Sequence, residues 1–285
     1  MTGWRGARLA PAVLLAPALL PFALFVLYPL AASVALSFQD WDGIGERRWV
    51  GLANYVELAG DPVFRTALAN NLTWLLLNLL APVFGLAIAL WINQPLRGMR
   101  LARALFFVPF VISPVVVGLV FAWALSGRFG LLGALGLGAA SPLDSEHGAI
   151  LAVIGAGLWP QTAYCAILYL AGLTTLRPEQ IDAGRIDGAG GWTLLRRVVL
   201  PQLRPVTFIA VMVSIVSALR GFDLVVIMTG GGPYDSSTVL GYYMYEQTFL
   251  SSRYGYAAAI ATVLFALTSG CVFAILRRLL RRESA

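Results

Sequence analysis

Few side chains in this sequence can do chemistry, and the sequence places them narrowly. Arg220 and Asp223 are ionisable, three residues apart, and set inside a long apolar run. Such groups are costly in apolar surroundings and face a cavity or a partner. On one continuous helix they would meet at i, i+3 and could pair with each other; the other reading is that they border a polar path. Gly157, Gln161, Tyr164 and Leu168 recur at helical spacing and offer a gap, an amide and a phenol. That set suits a ligand with hydroxyls and flat C–H faces. Glycine and glutamine also join helices to one another, so both readings stay open.

Bond-making chemistry has little to build on. All 20 basic residues counted as Lys+Arg are arginines, so a Walker A lysine and a Schiff-base lysine are both absent. His147 is the single histidine, which leaves no histidine cluster for zinc. Cys165 and Cys271 fall within apolar runs and read as small core residues. Gly230-Gly231-Gly232 follows a span but opens no evident helix, so it reads as a tight turn rather than a phosphate cradle.

These residues must be positioned by membrane helices. The chain has 285 residues, 59% hydrophobic and 12% charged, with a mean hydropathy of +0.79. That composition excludes a soluble domain, and several runs reach the roughly 20 residues a bilayer core requires. Six spans are expected, at about Pro11–Ser37, Thr66–Trp91, Leu105–Leu125, Ala149–Leu173, Val206–Met228 and Tyr256–Leu276. The first is too long for a cleavable signal and is read as retained. Trp41, Trp49 and Tyr55 suit an interface. Asn70, Asn71 and Asn78 lie in the second span, where the sequon Asn71-Leu72-Thr73 reads as chance. Gly127–Gly148 is a glycine-rich connection with a short turn or helix.

Six spans put both ends on one side, and arginines decide which. One side carries Arg5, Arg8, the Arg97–Arg100–Arg103 loop, five from Arg177 to Arg204, and Arg277, Arg278, Arg281 and Arg282. The other holds Arg47, Arg48, Arg65, Arg128 and Arg253. The positive-inside rule makes the first side cytoplasmic. The basic C-terminal cluster is read as a topology anchor, ahead of specific lipid binding.

The longest polar segment on that side runs from Pro178 to Pro201. Proline suits a first helical turn; Ala183, Gly184 and Gly188 offer a small-residue surface; Gly190-Gly191 breaks the helix. Thr193 is expected to cap a second helix with Leu194, Leu195, Val198 and Val199 inward, Arg196 and Arg197 outward, and Pro201 closing it. The result is a docking knob or, on the plainer reading, a loop packed under its own spans.

Asp182-Ala183-Gly184, three residues, Gly188, nine residues and Val198-Val199-Leu200-Pro201 resembles the "EAA" loop of ABC-importer permeases, which reads Glu-Ala-Ala, three residues, Gly, nine residues, Ile, one residue, Leu-Pro. Asp182, Gly184 and Val198 depart from it in type but not in spacing. Gly51-Leu52-Ala53-Asn54-Tyr55, Asp61-Pro62-Val63-Phe64 and Thr229-Gly230-Gly231-Gly232-Pro233, with Gly221-Phe222-Asp223 upstream, resemble the sugar-permease group within it.

The resemblance implies an all-α integral membrane protein of type I ABC importer architecture. One permease domain covers residues 1–285, with a coupling loop at 177–204. It implies ATPase coupling through Asp182, Ala183, Gly184, Gly188, Val198, Leu200 and Pro201. It implies a sugar path past Phe110, Ser113, Gly157, Gln161, Tyr164, Ser217, Ala218 and Gly221, with Arg220 and Asp223 beside it. The implied solute is a di- or oligosaccharide or a glycoside, moved inward by alternating access. The alternative is an anionic or modified sugar, such as glycerol-3-phosphate or a sulfonated sugar. Implied partners are a second homologous permease, two ATPase subunits that use ATP and Mg, an extracytoplasmic binding protein and membrane lipid. Nucleic acid, a metal site and a cofactor of the chain's own are not expected. An intramembrane enzyme lacks a catalytic constellation, and a self-sufficient transporter leaves the loop unexplained.

Overall fold

The computed structural model describes residues 14–94, 96 and 98–283. The expected start of the first span at Pro11, and Arg5, Arg8 and Arg97, lie outside the described residues, as do the side chains of Arg278, Arg281 and Arg282.

In chain order, α1 (Leu14–Leu36) is the first span. A two-stranded antiparallel hairpin follows, β1 (Gln39–Asp40) and β2 (Arg48–Trp49). Next are α2 (Ala53–Gly60), α3 (Pro62–Asn78) and α4 (Leu80–Ile92). Then come α5 (Met99–Val111), α6 (Pro114–Leu125) and α7 (Glu146–Thr174). The polar segment after it holds α8 (Pro178–Ile186) and α9 (Gly191–Gln202). The chain continues through α10 (Arg204–Leu219), α11 (Asp223–Met228), α12 (Leu240–Tyr245) and α13 (Tyr254–Glu283). Four helices are long and apolar enough to cross a membrane, and up to six spans result if each bent pair counts as one.

Two expected spans are broken. The third divides into α5 and α6, which meet at 98°. Pro114 opens α6 and drives Ser113 to an extended ψ of 140°, as a residue before proline prefers. The fifth divides into α10 and α11 around Arg220–Phe222. Proline also explains the irregular turn at Leu79, because Pro82 cannot donate to the carbonyl four residues back, at Asn78. The glycine-rich connection carries a short helical turn at Leu131–Ala134, as expected.

The chain forms two compact units. One takes the described residues up to Asp61 together with Met244–Phe265. In it the Asn54 amide donates to the carbonyls of Ser37 and Gln39, both at 2.9 Å, closing the span end onto the hairpin. Tyr55 shares a 2.6 Å hydrogen bond with Ser37, and Phe38 stacks on Trp49 and meets the Tyr55 ring at a tilt of 49°. The Asp42 carboxyl is held below the usual carboxylate range by the N–H groups of Gly45 and Ile44. Tyr256 donates to Asp61, and Arg253 donates to both carboxylate oxygens of Glu57. The Gly-Leu-Ala-Asn-Tyr segment and Asp61 therefore build this unit.

The other unit takes Pro62–Tyr243 and the end of α13 from Ala266. Its first core joins Trp74, Val117, Val153, Ile154, Leu224 and Val225. Its second joins Ala81, Cys165, Tyr169, Leu173, Val199 and Leu203. The three span asparagines fasten α3 to later segments. Asn70 donates to the carbonyls of Ser236 and Thr238, Asn71 accepts from Leu240 N–H, and Asn78 donates to the Ser214 carbonyl. Asn71 is fully buried, so its sequon is structural coincidence. Arg103 donates to the Ile92 carbonyl and closes the C-terminal end of α4.

Candidate functional site

A cavity of about 520 Å³ opens among α3, α5, α6, α7, α10 and α11. Its volume falls in the range of small-molecule sites. Phe110 and Tyr164 form one wall, stacked with ring centroids 5.1 Å apart. Gly157, Gln161, Ser217, Arg220, Gly221 and Asp223 line the rest of the expected set.

Two candidates are not brought there. Ala218 is fully buried in the core with Trp74 and Val225. Ser113 occupies the exposed corner between α5 and α6 and does not line the cavity. Leu168, on the same face as Gln161 in sequence, packs into the inner core instead. The sequence reading missed Trp74, Val117 and Leu224. Trp74 carried a usable signal, being a large aromatic on the asparagine-rich span.

The break in the fifth span decides the electrostatics. Among the described residues no ion pair joins Arg220 and Asp223, contrary to the expectation that one helix would pair them. Arg220 caps the C-terminal end of α10, and Asp223 begins α11. Each charge thus sits at the helix end whose dipole favours it, and both line the cavity. Gly221, between them, is pressed against the Trp74 indole, where a Cβ would stand 2.6 Å from the ring. A Cβ on Gly157 would meet the same indole at 3.2 Å. These two glycines therefore make room for a tryptophan before they make room for a ligand.

Gln161 is 8% exposed, and its amide donates to Ser214 at 3.0 Å. Ser214 in turn donates to the Ala210 carbonyl. Gln161 thus fastens α7 to α10 while one edge borders the cavity. The helix-joining reading of this face holds for Gln161, and Gly157, Gln161 and Tyr164 also line the cavity.

The α8–α9 segment forms a second candidate surface. Gly184 faces inward, where a Cβ would lie 3.0 Å from Leu194 and 3.3 Å from Val198. Gly188 does not continue the helix that carries Gly184. It ends α8 with a left-handed φ of +77°. Gly188 N–H bonds the Arg185 carbonyl and Ala189 N–H bonds the Gly184 carbonyl, a Schellman closure. Gly190 occupies the N-cap of the next helix, so Thr193 does not cap it, and Pro201 lies within the last turn of α9 rather than closing it.

Leu194, Leu195, Val198 and Val199 do turn inward and Arg196 and Arg197 outward. Val199 and Leu203 pack with Tyr169 and Leu173 near the inner end of α7, and Leu200 and Pro201 are half-buried beside them. Outward-facing residues are Asp182, paired with Arg185 at 3.2 Å, Ala183, Gly188, and two large apolar side chains. Ile186 is 86% exposed and Trp192 is 72% exposed. They flank the glycine turn. The small-residue surface is therefore narrower than expected and is dominated by these two.

Residues 81–284 match the family described as binding-protein-dependent transport system inner membrane component. A probable ABC transporter permease, YurN, of Bacillus subtilis is 35% identical over 271 residues, covering 92% of each chain. A sulfoquinovosyl glycerol transport system permease, SmoG, of Agrobacterium fabrum is 32% identical over 286 residues, covering 98% of this chain and 92% of its own. The fold matches that of a bacterial ABC transporter involved in the import of the acidic polysaccharide alginate. There the TM-score is 0.83 at 22% identity, over 99% of this chain and 98% of that one. The chain is an all-α multi-pass membrane protein and belongs to the binding-protein-dependent transport system inner membrane component family, the permeases of ABC importers.

Proposed function

We propose that this permease moves a carbohydrate inward by alternating access through the cavity beside the Phe110–Tyr164 stack. That cavity carries the reading. Aromatic faces suit the C–H faces of a sugar ring, and Ser217, Arg220 and Asp223 supply donors and acceptors for its hydroxyls. The sulfoquinovosyl glycerol permease of Agrobacterium fabrum supports a glycoside. The chain works as one permease domain in the cytoplasmic membrane with both termini cytoplasmic, paired with a second homologous permease. An extracytoplasmic binding protein delivers the sugar. ATP and Mg are used by a separate ATPase pair seated on residues 177–204, and the chain itself makes and breaks no bonds. Because Val199 and Leu203 pack with Tyr169 and Leu173, a push on α8 and α9 reaches α7, and through Gln161 it reaches α10. Two discrete packings then exchange, inward-open and outward-open.

The test is the reconstituted assembly given its cognate binding protein loaded with maltose, maltotriose, trehalose, raffinose or sulfoquinovosyl glycerol. At least one sugar should stimulate ATP hydrolysis and accumulate inside proteoliposomes. Stimulation only by a non-carbohydrate would overturn the reading.

A second reading, an anionic carbohydrate, is favoured by Arg220, a cation on the cavity wall without an ion-pair partner among the described residues. A charge-assisted hydrogen bond contributes about 1.5–3 kcal/mol. Arg220→Ala should therefore cut uptake of sulfoquinovosyl glycerol by roughly ten- to a hundredfold and lower that of maltose less. Unchanged uptake of the anionic glycoside removes Arg220 from the site.

A further inference from the structure

The Gly127–Gly148 connection joins α6 to α7 at the end of α7 opposite α8, and its exposed surface divides into two blocks. From Phe129 to Ala140 no side chain carries a polar atom. Phe129 is 84% exposed, Leu135 63%, Leu137 53% and Leu131 50%. After Ser141 the character reverses, and Asp144, Ser145, Glu146 and His147 are all exposed. Four large apolar side chains with no polar side chain among them make a patch that water does not favour.

The apolar block is folded rather than a loose loop. Leu131–Ala134 forms a helical turn, and the N–H groups of Ala134, Leu135, Gly136, Leu137 and Ala140 bond carbonyls within the block. The turn is held against the end of α6, so closely that a Cβ on Gly130 would overlap the Trp123 carbonyl. Backbone bonded to itself in this way suits a segment entering hydrocarbon, where no water can pair the groups left free. The apolar surface also continues one that α6 carries. Leu119, Val120 and Trp123 are exposed there, and tryptophan is a residue type that settles at the membrane–water boundary. Arg128, exposed at the head of the block, supplies a cation for lipid phosphate. A binding protein that docks and leaves would instead uncover this face to water in every cycle.

We propose that Phe129–Leu137 is a wedge seated in the membrane leaflet at that end of the bundle. Phe129, Leu131, Leu135 and Leu137 lie among the acyl chains, and Asp144–His147 stand in water. The wedge hangs from the end of α6, which carries Val117 into the cavity, and so anchors that wall to the bilayer.

Fluorescence quenching in the full assembly tests it. Leu135→Cys and Leu137→Cys, each in a Cys271→Ala background, place a bimane label on the wedge, and Ser145→Cys places one on the polar block. All three sites are exposed, so the labels displace no core side chain, and Cys165 is fully buried and stays unlabelled. The assemblies are compared in nanodiscs of brominated and unbrominated phosphatidylcholine, with iodide as the aqueous quencher. Brominated lipid should cut the emission of both wedge labels and spare the label at 145, and iodide should do the reverse. Iodide quenching at 135 and 137 without bromine quenching would put the segment in water. Quenching by neither would put it against protein. Either result overturns the wedge. Loss of the bromine effect when loaded binding protein is added overturns it too, because the face would then serve docking. None of these outcomes needs a transported sugar, so this assignment and the transport reading stand or fall separately.

Discussion

Trp192→Ala is expected to release the ATPase from the assembly while the membrane portion stays folded. The indole is 72% exposed beside the glycine turn, so its loss leaves no void in the permease. A tryptophan at the centre of an interface contributes about 2 kcal/mol or more. That corresponds to at least roughly thirtyfold weaker ATPase binding. Titration of detergent-solubilised permease with purified ATPase measures it directly, and wild-type affinity in the variant would remove Trp192 from the interface. Asp182→Ala should behave differently. Its pair with Arg185 is a surface ion pair of about 0–1 kcal/mol, so assembly should hold while the ratio of transport to hydrolysis falls. Uptake unchanged by Asp182→Ala would mean that the carboxylate plays no part in coupling.

Trp74→Ala should be the most damaging core substitution near the cavity. The indole is 3% exposed and fills the space that Gly157 and Gly221 leave open. Truncating a buried tryptophan costs about 3–5 kcal/mol through lost burial and the void left behind. Neither glycine can fill that void, because neither has a side chain, and the α10–α11 break would lose its backing. Thermal unfolding of the purified assembly should shift down, and uptake should fall with it. Trp74→Phe keeps a ring in the slot and should recover part of both. A Trp74→Ala assembly with wild-type melting behaviour would show that the indole does not hold the break in place.

The two outcomes draw on different kinds of information. Apolar run length was enough to find the membrane helices, because a bilayer demands both length and hydrophobicity and the chain supplies them in separated blocks. Motif spacing was enough to find the family, since a helix–turn–helix with fixed glycines tolerates little insertion. The inward face of α9 was equally legible, as periodicity in Leu194, Leu195, Val198 and Val199 is a local property.

What run length could not reveal was where spans break. Pro114 and Gly221 are visible as residues, but membrane helices tolerate proline when neighbours meet the freed backbone groups. Whether they bend depends on those neighbours. Trp74 against Gly221 is a contact between residues 147 positions apart, and it lies at the break between Arg220 and Asp223, which spacing alone does not show. Gly188 shows the same limit at short range: its spacing from Gly184 fits a helix face, yet its positive φ ends the helix.

Sequence by itself therefore determined the membrane class and the family. Only the tertiary structure decided that eight of the ten path candidates share one cavity, that Ser113 and Ala218 do not, and that Ile186 and Trp192 stand exposed beside the glycine turn. The physical reason is that composition and periodicity follow from each helix's own solvent, whereas cavities and exposed knobs arise where one helix meets, or fails to meet, another.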